Sequence, residues 1–140
     1  MKKNFLFFAV AAMICGGAGL RAADVKVIAN SSVSASSVSS EDLKRVFLGT
    51  KSSLEDGSKV EPVLEKGGAA HEAFLKEYLG KTDAALTTYY RSLVFTGKGS
   101  MPKTLASDAE MAEYVAKTKG AIGYVSASAT AAGVKVLEVK

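Results

Sequence analysis

One histidine, a single cysteine at position 15 and scattered carboxylates bound the chemistry open to this 140-residue chain. A Ser-His-Asp device would have to use His71, and no serine stands in a Gly-x-Ser-x-Gly setting. A zinc centre needs three or four nitrogen, sulfur or oxygen ligands together, which one histidine does not supply. Glu72, Glu77, Asp108, Glu110 and Glu113 read as solvated helix faces. Gly97-Lys98-Gly99-Ser100 and Gly49-Thr50-Lys51-Ser52 lack the glycine spacing of a phosphate-cradling P-loop. The residue types thus imply no enzyme, no metal and no cofactor.

Two segments remain that could bind a ligand. Asn30-Ser31-Ser32 follows the first expected strand, and Gly67-Gly68-Ala69-Ala70-His71 leads from a strand into a helix. Ligands of open α/β sheets sit at the carboxyl ends of strands. Helix N-termini there offer unpaired N–H groups and partial positive charge, which suit an oxyanion, and serine hydroxyls add neutral donors. The candidate ligand-binding residues are therefore Ser31, Ser32, Gly68, Ala69, Ala70 and His71. The plainer alternative is that the glycines only turn the chain and the serines only cap a helix.

The elements that must position these residues alternate between strand and helix. Val25-Lys26-Val27-Ile28-Ala29 is a β-branched run and an expected strand. The stretch 31–40 holds seven serines in ten residues, yet its place between strand and helix predicts an ordered loop. Ser39 with Asp42 is a weak capping pair, Leu43, Val46 and Phe47 form an apolar face, and Gly49 stops that helix. Asp56-Gly57 is a turn, and 60–64 is a strand in which Pro62 implies an edge or an end. A helix over 71–79 closes at Gly80. Thr82 caps the next, which carries Leu86, Tyr89, Tyr90 and Leu93. A loop covers 96–102. Ser107 and Glu110 form a capping box ahead of Met111, Tyr114 and Val115, and Lys119-Gly120 ends that helix. Strands over 122–125 and 134–139 complete an α/β domain with a mixed or mostly parallel sheet.

The N-terminus predicts export. Lys2 and Lys3 precede an apolar run from Phe5 to Ile14, and small residues follow up to Ala22-Ala23. That is a secretory signal peptide, residues 1–22, with a mature domain over 23–140. The run is too short to span a bilayer, which takes about 20 residues, so no stable membrane insertion is expected. Cys15 follows the bulky Ile14 and reads as apolar filler rather than a lipid attachment point. Without Lys2, Lys3 and Arg21 the chain keeps 15 basic and 14 acidic residues, a net charge of +1. The basic balance of the full chain is therefore no argument for nucleic acid.

An ordered set of segments resembles the phosphate-type periplasmic solute-binding proteins of ABC importers. The set comprises Ile28-Ala29-Asn30-Ser31, the helix from Ser40 to Gly49, Asp56-Gly57-Ser58 into Val60-Glu61-Pro62-Val63, the helix from Glu72 to Gly80, Phe95-Thr96-Gly97-Lys98-Gly99, and Gly120-Ala121-Ile122-Gly123-Tyr124-Val125. The resemblance implies a single lobe of the periplasmic-binding-protein-like fold, with flanking helices, since the family is usually two-lobed and this chain has length for one. It also implies a partnership with phosphate or a related oxyanion, and with an ABC permease or another periplasmic protein. Where the family carries Ser-Gly-Thr after Arg and Asp, this sequence carries Gly68-Ala69-Ala70-His71. An anion would therefore meet backbone N–H groups rather than hydroxyls, and weakly. A periplasmic interaction module that kept the fold and lost the ligand is the alternative.

Overall fold

The computed structural model describes residues 25–130 and 132–140. The expected signal peptide, its cleavage point and Cys15 lie outside the described residues. The chain runs β1 (Val25–Ala29), β2 (Ser37–Val38), α1 (Ser40–Phe47), β3 (Glu61–Glu65) and α2 (Ala69–Phe74), which continues as a π-helical turn over Leu75–Leu79. Then come α3 (Asp83–Phe95), β4 (Lys103–Leu105), α4 (Asp108–Lys117), β5 (Ala121–Ser126) and β6 (Lys135–Val139). One six-stranded mixed sheet has the order β2-β6-β1-β5-β3-β4. Three of its pairings are parallel, and β1 runs antiparallel to both of its neighbours.

Local sequence explains most of the helix ends. Ser39, Thr82 and Ser107 each accept an N–H bond at the start of α1, α3 and α4, from Asp42, Ala85 and Glu110. The Glu110 carboxylate completes the capping box on the N–H of Ala106, one residue ahead of the cap. Gly80 closes the helical run of α2 in the left-handed region, at φ 61°. That run starts at Ala69, two residues before the expected His71, and its last turn widens from α to π.

Three expectations need correction. The serine-rich stretch contains β2, which pairs parallel to β6 at one edge of the sheet. The segment after the 96–102 loop forms β4 at the other edge. Strands of two and three residues carry too little pattern of their own; their partners make them. Pro62 sits near a strand end, as one alternative had it, but β3 is not an edge strand. Pairing with β4 starts only at Val63, and the first β3 bond to the β5 side comes from Glu61 N–H to Gly120. Pro62 therefore leaves no ladder partner without a donor.

Helices α1, α2 and α3 cover one face of the sheet, where Phe47, Phe74, Leu43, Leu86, Tyr90 and Tyr124 form the larger core. The α4 helix covers the other face, packing Met111 and Val115 on Ile28, Val63 and Val125. Gly123 allows this close approach, because a Cβ there would lie 2.5 Å from the Met111 sulfur. Gly123→Ala should lower unfolding stability by about 1–3 kcal/mol through overpacking. Adding Met111→Val should recover part of that loss in urea denaturation. An unchanged midpoint for Gly123→Ala would show that α4 yields freely.

Candidate functional site at the carboxyl end of β3

The topology decides which candidate residues meet. Ala29 of β1 pairs with Ile122 near the start of β5, and Glu61 at the start of β3 pairs with Ala121. The carboxyl end of β1 is thus level with the beginning of β3. A five-residue strand covers about 13 Å, so Ser31 and Ser32 lie at one end of the sheet and residues 68–71 beyond the other. The structure does not bring the two segments together. The rule about carboxyl ends assumes parallel strands, and β1 is antiparallel.

The β1 end is built as a structural joint. Asn30 is buried; its Oδ1 accepts from Ser32 N–H at 2.9 Å, and its Nδ2 donates to Val115 and Ala116 carbonyls at the end of α4. The Ser32 hydroxyl accepts from Gly120 N–H at 3.0 Å. Ser31 is exposed in the turn.

The β3 end is more open. Gly68 precedes α2 with φ 97° and offers no side-chain cap. A Cβ at Gly67 or Gly68 would meet nothing within 4 Å. The first N–H groups of α2 therefore face an unobstructed approach, where α1, α3 and α4 are each closed by a hydroxyl.

Beside this start, His71 is only 2% exposed and bridges two elements. Its Nε2 lies 2.7 Å from Asp83 Oδ1 at the beginning of α3, and its Nδ1 lies 2.5 Å from the Tyr124 hydroxyl on β5. The Tyr124 hydroxyl also accepts from Glu65 N–H at 2.9 Å. These contacts fit one proton arrangement. The neutral imidazole donates from Nε2 to the carboxylate, and the phenol donates to Nδ1. The sequence showed no partner for His71, because Asp83 and Tyr124 come from other elements. An acid, an imidazole and a hydroxyl in line would serve nucleophilic chemistry, but Tyr124 is wholly buried and stacked on Phe74 with ring centroids 4.0 Å apart. Burial pushes its hydroxyl far above the usual phenol range. The chain is a clamp holding α2, α3, β3 and β5 in register.

Glu65, also unforeseen from sequence, ends β3 in the interior with no partner for its Oε2. Burial, reinforced by a hydrogen bond to Asp108 and its charge, raises the Glu65 carboxyl to about 8. Burial would raise Asp108 too, but hydrogen bonds from Glu65 and Ser126 outweigh it and hold that carboxyl below its usual range. The two share one proton, and it resides on Glu65. A cavity of about 160 Å³ adjoins the clamp, with Lys66, His71, Asp83, Thr87 and Thr104 in its wall. Among the described residues no three His, Cys, Asp or Glu side chains could hold a metal ion together, and no helix is long and apolar enough to cross a membrane.

No family model matches the chain, and no curated protein sequence does. Solved structures do resemble it. An ABC-type phosphate transport receptor from Vibrio cholerae superposes with a TM-score of 0.63 at 15% identity, over 83% of this chain and 46% of that one. PstS from Borrelia burgdorferi gives 0.62 at 12% identity, over 84% and 47%. The chain spans just under half the length of these structures. It shares the fold of one lobe of a periplasmic binding protein.

Proposed function

We propose that this chain is a solute-binding lobe of the periplasm, exported by cleavage of residues 1–22, not an enzyme, and serving ABC import by weak capture of phosphate or a related oxyanion. The observation that carries the reading is the uncapped start of α2 at the carboxyl end of β3, open above Gly67 and Gly68. Backbone N–H groups there suit an anion, and the structures that share the fold include phosphate transport receptors. The ligand-binding residues on this reading are Gly68, Ala69, Ala70 and His71, the last through its backbone. Ser31 and Ser32 drop out, being at the other end of the sheet.

NMR titration with phosphate and sulfate tests it. We expect shifts confined to residues 67–72 and affinity of roughly micromolar to millimolar strength. Ala69→Asp is the informative variant. Its carboxylate occupies the same N–H groups, an acid in the first turn favours the helix, and Ala69 is exposed. Gly68 itself is a poor choice, since its positive φ would strain any other residue. Ala69→Asp should abolish anion binding without loss of folding. Binding that survives it would place the anion elsewhere.

A specific observation favours a second reading, that of an interaction module that kept the fold and lost the ligand. The exposed Asp83 carboxylate beside His71 opposes an incoming anion. No shift at tens of millimolar anion would select this second reading.

A further inference from the structure

The least explained surface feature is apolar. Phe95 at the end of α3 is 92% exposed, and Val94 and Met101 are 51% and 50% exposed. Nearly every residue from 91 to 103 is exposed. A contiguous apolar patch of this kind marks an interaction site rather than ordinary surface.

Beside it lies a groove of about 240 Å³, walled by Val46, Val60, Pro62, Leu93, Met101 and Pro102. Leu93 lies two residues before Phe95, so the projecting ring and the groove share the last turn of α3. A two-fold contact needs a surface that complements itself, and this one carries both a knob and a socket. The charges match as well. Arg91 lies one helical turn before Phe95 and Lys98 three residues after it, and Glu61 stands at the rim of the groove. Among the described residues none of the three has an ion-pair partner.

We propose that this chain forms a two-fold homodimer in which Phe95 of each copy enters the groove of the other, with Arg91 and Lys98 beside Glu61 of the second copy. The charge pattern selects this occupant. An anionic lipid surface would attract the two cations but repel Glu61, whereas a second copy pairs all three. A stable contact takes about 20 residues a side. The exposed run 91–103, with the groove rim at 49–52 and 60–62, is of that size. Residues 68–71 do not line the groove, so the contact leaves the proposed anion site open and does not depend on it.

Sedimentation equilibrium of the purified protein tests the proposal. A dimer is expected at tens of micromolar. Phe95→Ser should give a monomer with an unchanged melting temperature, because the ring makes almost no contact within its own chain. Arg91→Glu and Glu61→Arg should each weaken the dimer about tenfold, and combining them should restore most of the loss. A protein that stays monomeric at several hundred micromolar overturns the proposal. So does a dimer indifferent to Phe95→Ser, or a charge exchange that fails to restore affinity.

Discussion

Glu65→Gln should flatten the dependence of stability on pH and raise the melting temperature above that of the parent in mild alkali. The folded protein keeps a proton on Glu65 up to about 8, against an ordinary value of 4.5. Between those values the folded state holds one proton that the unfolded state has released. Stability therefore falls as pH rises across that window, and the loss is complete above the folded value. Each unit of displacement corresponds to about 1.4 kcal/mol, and local relaxation reduces the sum, so we expect a loss on the order of 2 kcal/mol. For a domain of this size that is roughly 8–12 °C. Asp108, Glu113 and Asp56 are displaced downward, so their contribution disappears only in stronger acid, as pH falls through their lowered values. Their titration does not overlap the Glu65 window. A glutamine amide donates to Asp108 as the protonated acid does and has no proton to lose. Thermal melts of both proteins from pH 5 to 9 measure the effect. The same slope in Glu65→Gln as in the parent would move the shared proton to some other group.

The larger loss should come from His71→Ala. The imidazole is buried and holds Asp83 to Tyr124, which in turn receives the Glu65 N–H. Truncation leaves a cavity and an unpaired phenol in the interior, each with its own cost. We expect about 2–5 kcal/mol in chemical denaturation. Tyr124→Phe separates the two contributions, since it removes the hydroxyl, keeps the ring stacked on Phe74, and should cost about 1–3 kcal/mol. If His71→Ala is as stable as the parent, the clamp is incidental.

Sequence alone carried the fold class and the larger elements for definite reasons. Caps at Ser39, Thr82 and Ser107 are local chemistry, read within four residues of where they act. The closing glycine at position 80 is likewise set by φ at one residue. The ends of α2 and the two edge strands were less legible, because tertiary partners decide them. The candidate site was half legible. Gly67-Gly68 before a helix is visible as a string of letters, but the direction of β1 is not. That direction alone separates Ser31 and Ser32 from residues 68–71. The clamp and the Glu65–Asp108 pair were invisible for a related reason. Asp83, His71 and Tyr124 come from three elements, and Glu65 reads as an ordinary polar strand end until α4 is placed over it.

The antiparallel setting of β1 has a temporal consequence. Val25–Ala29 occupies the middle of the sheet, between β5 and β6, both of which are built from the last twenty residues. The first strand made is therefore an orphan for almost the whole of synthesis. Its amide groups find their ladder only when Lys135–Val139 arrives, so the closing of the sheet cannot be vectorial. Such distant pairing slows folding, because loop-closure entropy must be met before any contact repays it. A growing chain with this wiring reaches the end of translation still open, a state in which a translocation channel can thread it.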